Sequence, residues 1–457
     1  MRNTPQGEAI DGNPAGGGTD DALMVIRGFH PLLTGIRIKT ILSWLQLFII
    51  SNKAVWTQMM DKECPIPEPF GRMVGNIFFL AGLFFLTFIS RFIFAPLMPV
   101  IEQELAITHS QAGTFFLMIS LGFLIASVMS GFVSSIIKHR GALTLSTLGI
   151  ALALLAFYLT NSLWAIRGIM LLLGMAAGLH TPSAIATITA MVNRNDWGKA
   201  LAIHQLAPPL SLILGPLLTV ALLGWLSWRT ILALLGCVTI LVSLAFIRYC
   251  PCGDFPGDAP RPALVKEVVS ERSFWIMIVL FALAMGGSVG IYAMLPLYLV
   301  TERGLDHELG NTLVGLSQIS GLFMIFFAGW LTDRIGEKRA IAAALLASGI
   351  ATIMLGMLSG GWLKLMVFLQ PAMLACYFPA GFSALSRIVQ PGLRSIAASF
   401  GPSISFVLGG GILPAAIGYM GQTYSFGLGI TMAGGLIVLG SGLVVFLRLL
   451  ENMEEGC

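Results

Sequence analysis

The sequence predicts an all-α membrane protein of twelve transmembrane helices, arranged as two pseudo-symmetric six-helix halves. Three observations carry that expectation. Of 457 residues, 56% are hydrophobic and 11% are charged, against about 25% charged in a typical soluble domain. So little charge cannot clothe a soluble particle of this size, and lipid must face most of the exterior. Apolar runs of the ~20 residues that a spanning helix needs recur between residues 74 and 448. Landmarks also repeat at a near-constant interval: Pro99 with Pro296 and Pro182 with Pro379 at 197 residues, His109 with His307 and Gly131 with Gly329 at 198. Such spacing is the mark of a duplicated six-helix unit.

The elements follow in order. Residues 1–72 are expected to be a cytoplasmic N-terminal extension, with Gly, Asp, Asn and Pro giving residues 1–20 a disordered composition. Residues 41–50 are apolar but too short to cross a bilayer, which suits a helix lying on the membrane surface. They stand too far from Met1 for a cleaved signal, and Met73 is an alternative start for translation. The spans are expected at 74–100, 110–133, 141–160, 163–191, 198–223 and 227–248, then at 273–300, 310–332, 339–358, 362–389, 394–419 and 424–448. The Pro-rich connection 249–272 divides a first half (73–248) from a second (273–448), and 449–457 form a short tail.

Charge placement orients the chain. One set of connections and helix ends carries Lys138, Arg140, Arg194, Lys199, Arg248, Arg261, Lys266, Arg272, Arg334, Lys338, Arg339, Arg387, Arg394 and Arg448. The other set carries only Arg229, Arg303 and Lys364, with Arg167 just inside a helix. The positive-inside rule then puts both termini in the cytoplasm of a multi-pass protein of the inner or plasma membrane. Six cysteines show no disulfide framework, and Cys250-Pro-Cys252 reads as a juxtamembrane loop rather than a metal site.

The sharpest local motif is Gly329-Trp-Leu-Thr-Asp333-Arg334-Ile-Gly336-Glu-Lys338-Arg339, between spans 8 and 9. Gly329 allows close helix approach, and Asp333 can accept hydrogen bonds from a helix N-terminus or pair with a base. Arg334, Lys338 and Arg339 hold the turn on the cytoplasmic side. The motif resembles the signature loop of the major facilitator superfamily (MFS), which implies an alternating-access transporter with its substrate site between the halves. The loop is therefore assigned to gating, with Gly131 as the first-half counterpart of Gly329. In that first-half loop Ser135 and Ile136 replace the acid and the arginine, so conformational control is expected to rest more on the second half. Gly198-Lys199-Ala200 and Gly215-Pro216 resemble the family's fifth helix, but Thr219 and Val220 stand where the drug/proton antiporter motif has glycines. Arg167 resembles the basic residue of the fourth helix, with Leu171 where a glycine is expected.

An ionisable group within a span is costly and marks function. No Asp or Glu falls inside a predicted span; Glu102 and Glu104 mark the outer end of the first. Arg91 lies eight residues before Pro99, about 12 Å along a helix, near the bilayer midplane. Its guanidinium stays charged and needs an anion or water, so the expected partner is an anionic substrate held by the planar fork. The competing reading is a structural arginine bonded to helix carbonyls. The segment 91–99 is similar to the first helix of organophosphate:phosphate antiporters, which implies an anion-binding arginine and a fifth-helix histidine, matched by His204. Their second, seventh-helix arginine has no counterpart in 274–299, so a carboxylate fits better than a phosphate ester. His180, His204 and Gln205 adjoin Pro182, Pro208 and Pro209, which free backbone carbonyls into polar surroundings. Either histidine could also carry a proton. Tyr292, Gln318, Gln370 and Tyr377 are candidates for the second-half wall.

The reading is a secondary transporter of a small organic anion such as a carboxylate. The alternatives are a proton-coupled efflux pump for lipophilic or cationic compounds and a non-transporting membrane sensor. No P-loop, nucleophile triad or metal spacing argues for an enzyme or a cofactor, and no basic patch argues for nucleic acid. The expected partners are the substrate, protons as an optional co-substrate and the bilayer, with the protein a monomer.

Overall fold

The computed structural model describes residues 70–258 and 262–449. The expected N-terminal extension, its apolar segment 41–50 and the end of the tail lie outside the described residues. Among the described residues, eleven helical elements are long and apolar enough to cross a membrane. One of these elements, His109–Leu159, is two helices, the expected spans 2 and 3, which meet in a kink at Lys138 where the backbone turns through φ 64°, ψ 167°. The remaining spans are 1 (Phe70–Leu105), 4 (Leu163–Met191), 5 (Arg194–Leu223), 6 (Trp228–Tyr249), 7 (Arg272–Thr301), 8 (His307–Ile335), 9 (Glu337–Met357), 10 (Gly360–Arg387), 11 (Ile396–Thr423) and 12 (Phe426–Phe446). The connection 249–272 contains a short helix, Pro262–Ser270.

The helices that approach the centre are broken where proline and glycine dictate. Proline removes a donor and clashes with the carbonyl four residues back. Span 1 breaks at Ile93 and resumes at Phe94, with Pro96 just beyond. Span 4 breaks at Leu179 before Pro182, and span 10 at Cys376 before Pro379. Span 5 breaks ahead of Pro208 and Pro209. Spans 7 and 11 widen into π-helical turns at Gly286–Gly290 and Val407–Ile412. The breaks obey the repeat: the segments resuming at Phe94 and Ile291, and those resuming at His180 and Tyr377, are each 197 residues apart. The bend at Lys138 is matched 198 residues later by Gly336, at φ 81°, ψ 156°.

Spans 1 and 7 sit innermost, with 67% of their apolar windows buried against 22% for span 8. Their C-terminal segments pack together in one apolar core drawn from both halves, including Phe94, Met98, Met294, Leu297 and Ile417. Asn311 of span 8 donates to the Pro96 carbonyl (3.1 Å), and the His109 N–H donates to Gln422 Oε1 (3.2 Å) across the same seam. The basic end differs. There Ile77, Leu143, Ile188 and Phe246 form one core within the first half, and Phe274, Ile341, Tyr377 and Leu385 another within the second. The halves are joined at the end opposite the basic turns and carry separate cores at the basic end.

The start of the connection is strapped to the first-half bend. The N–H groups of Arg140 and His139 donate to the carbonyls of Gly253 (2.8 Å) and Phe255 (3.1 Å), and Gly257 N–H donates to Ser134 (3.1 Å). Lys138 Nζ pairs with Asp254 at 2.7 Å.

Candidate substrate site

Arg91 projects from the last turn before the break in span 1 and is 4% exposed. Among the described residues it makes no ion pair, and its one side-chain hydrogen bond is a long one, Nε to the Thr87 carbonyl at 3.4 Å. Aromatic rings surround it instead. Its Cζ lies 4.8 Å from the Phe88 ring, 4.9 Å from Phe123, 5.6 Å from Phe92 and 5.7 Å from Phe406. Ring faces stabilise a cation by about 0.5–2 kcal/mol each, yet they supply no hydrogen bonds to a group with five N–H donors.

About two turns earlier on span 1, Phe84 lies parallel to two histidines. Its ring centroid is 4.4 Å from His204 and 5.3 Å from His180, with interplanar angles of 1° and 3°. Both histidines have no exposed surface. Neither ring nitrogen of either one has a hydrogen-bond partner, nor does Ser183 Oγ one turn on from His180. The hydroxyl of Tyr377, the repeat equivalent of His180 in span 10, is also buried without a partner. Unpaired buried polar atoms cost roughly 1–3 kcal/mol each.

The other expected residues are dispersed. Tyr292 Oη donates to the Leu212 carbonyl at 3.2 Å, tying span 7 to span 5. Gln370 donates to Gly287 O (2.8 Å) and to Thr352 (3.3 Å). Gln318 is half-buried against Ser317, and Gln205 is exposed, turned off the helix that buries His204. Arg167 donates to Thr114 and lies over Trp164, away from the cluster.

The gating loop also departs from expectation. Nothing lies within 4 Å of where a Cβ would sit on Gly329, so this glycine serves no close helix contact here. Asp333 is exposed and makes no ion pair among the described residues; the acid that is engaged is Glu337, bound to Arg387 at 2.7 Å and to Ser383 at 3.1 Å. Arg334 lies over the Trp330 ring at 4.7 Å, and Lys338 and Arg339 face outward. Gly336 has the clearest role, since its positive φ makes the turn. Gly131 accepts from Ser134 Oγ at 3.2 Å. Glu102, expected only to mark the outer end of span 1, is 8% exposed at the seam and bonded to His109 Nδ1 at 2.8 Å.

Two repeat-related helix bundles facing a buried polar cluster, joined at one end and separate at the other, define a membrane solute carrier. The chain belongs to the Major Facilitator Superfamily, whose sequence profile matches residues 80–401. It is 25% identical over 304 residues to an uncharacterised MFS-type transporter, YbcL of Bacillus subtilis, covering 64% of this chain and 75% of that one. It is 24% identical to the membrane sensor protein UhpC of Salmonella typhimurium (65% and 72% covered). The multidrug resistance protein MdtG of Salmonella paratyphi C is also 24% identical (65% and 76% covered). Among solved structures, an inward-facing, occupied bacterial homologue of the human lysosomal transporter Spinster superposes with a TM-score of 0.67 at 16% identity, covering 84% of this chain and 95% of that one. A D-xylose–proton symporter superposes at 0.68 with 16% identity, covering 84% and 99%. These structures share the fold.

Proposed function

We propose that this transporter carries a small organic anion by alternating access, with the anionic head, such as a carboxylate, bound to Arg91. The observation that carries the reading is the isolation of that guanidinium: buried, permanently charged, ringed by phenyl groups and facing no carboxylate among the described residues. An anion would complete its hydrogen bonding through a bidentate contact. The unpaired nitrogens of His180 and His204 stand ready for the polar groups of the same ligand. Both termini are assigned to the cytoplasm from the basic residues gathered at one end of the bundle. Transport without catalysis is the whole of the proposed activity.

A second reading, export of lipophilic or cationic compounds, has support in the aromatic lining and in the likeness to MdtG. The fixed positive charge of Arg91 speaks against a cationic cargo. The likeness to UhpC keeps a sensory role as a third reading. A thermal-shift series on the purified full-length protein decides between anionic and cationic cargo, using carboxylates, phosphate esters, sugars and lipophilic cations as ligands, and whole-cell uptake separates transport from a sensory role. Carboxylates should raise the melting point of the native chain and leave Arg91→Met unmoved. Anions that do nothing, or that act equally on Arg91→Met, would overturn the anion reading.

A further inference from the structure

We infer that the organic part of the cargo is a flat aromatic ring, so that the site takes an aromatic monocarboxylate rather than a sugar acid or an aliphatic one; this rests on Arg91 being the anion site. The chemistry around Arg91 is lopsided. Beyond the guanidinium, hydrogen-bonding groups are few: Gln370 and Tyr292 are already committed to backbone carbonyls. What remains are the two histidines and Ser183. A polyhydroxylated cargo would bury more hydroxyls than these can satisfy, and each one left over is costly.

Rings are abundant and continuous. Phe84, Phe88 and Phe92 follow one another along span 1, with centroids 6.1 and 4.7 Å apart. Phe92 meets Phe406 at 6.2 Å and Tyr292 at 6.3 Å, and Phe123 meets Phe406 at 5.3 Å. These last three contacts cross from the first half to the second. A carboxylate joined to an aromatic ring is coplanar with it, and a bidentate contact keeps the guanidinium near that plane. The ring faces that now lie over the guanidinium are thereby placed to stack on, or meet edge-on, the ring of the cargo. The parallel array of Phe84, His180 and His204 offers a second stacking surface with polar edges.

Matched probes separate this inference from the anion reading. Benzoate, cyclohexanecarboxylate and glycerate are titrated calorimetrically into the full-length protein, into Arg91→Met and into Phe123→Leu. Phe123 is only partly buried, so its replacement should leave the fold intact; Phe406 is buried, and Phe406→Leu is the second variant, with circular dichroism to show that it folds. Benzoate should bind about two- to tenfold more tightly than cyclohexanecarboxylate, since aromatic contacts contribute about 0.5–1.5 kcal/mol beyond area, and glycerate should bind more weakly still. Both leucine variants should erase the preference for benzoate while keeping Arg91-dependent binding. Equal affinity for benzoate and cyclohexanecarboxylate, with both lost in Arg91→Met, would overturn the aromatic inference and leave the anion reading standing. No binding of any carboxylate to folded native protein would overturn both.

Discussion

Lys138 holds a backbone conformation that belongs to glycine, and replacing it should stabilise the protein. Its φ of 64° with ψ of 167° lies in a region that only glycine enters without cost; other residues held there carry about 1–3 kcal/mol of strain. Its ammonium pairs with Asp254, but the two side chains are 40% and 63% exposed, and such pairs are worth only about 0.2–1 kcal/mol. Comparing Lys138→Gly with Lys138→Ala removes that pair from both arms. The glycine variant is relieved of that strain but gives up about 0.5–1 kcal/mol to its extra unfolded-state entropy. Lys138→Gly should therefore be more stable than Lys138→Ala by about 0.5–2 kcal/mol, the reverse of the order in an ordinary helix. Gly336→Ala, at the equivalent turn, should lose about 1–3 kcal/mol. Equilibrium unfolding in mixed micelles, followed by circular dichroism, measures all three. An alanine variant as stable as the glycine variant would refute the reasoning.

Two further perturbations test the packing. A Cβ on Gly434 would lie 2.6 Å from the Ile353 nitrogen and 2.8 Å from the Gly349 carbonyl, so Gly434→Ala should push spans 9 and 12 apart and cost about 1–3 kcal/mol. Gly329→Ala, with open space around it, should be neutral or slightly stabilising in the same unfolding assay. A double-mutant cycle over Glu337→Gln and Arg387→Ala should return a coupling of about 1 kcal/mol, whereas one over Asp333→Asn and Arg387→Ala should return nothing measurable.

The halves and their broken helices were legible in the sequence because proline and glycine act locally and the duplication preserved their spacing. Pro182 and Pro379 announced the breaks in spans 4 and 10, and the histidine placed beside Pro182 proved to be buried at that break. The turn from span 2 into span 3 at Lys138 was not legible, since nothing local in Lys138 signals a positive φ; only the repeat, aligning it with Gly336, carries that information. The strap was hidden for a similar reason. Asp254 stands in a Pro-rich connection, and its pairing with Lys138 depends on where the chain returns after span 6. The ring cage was hidden most completely. With 29 phenylalanines in the chain, nothing marks Phe123 and Phe406 as neighbours of Arg91, because they come from helices almost 300 residues apart. Burial of Glu102 depends likewise on the second half closing over it.

The placement of the cage bears on how cargo could drive the cycle. A ligand shifts a conformational equilibrium only by binding one state better than the other. Arg91, Phe88, Phe92 and Phe123 belong to the first half and keep their relations to one another as a rigid unit. An anion touching these alone would bind either state equally and move nothing. Phe406, Tyr292 and Tyr377 belong to the second half, and the contacts of Phe92 and Phe123 with Phe406 cross the seam. A ring seated beside Arg91 must meet or displace Phe406, so its binding energy depends on the angle between the halves. The carboxylate then confers affinity, and the aromatic body confers the difference between states. Cargo reduced to its anionic head should therefore bind weakly and leave the equilibrium between the two open forms where it was.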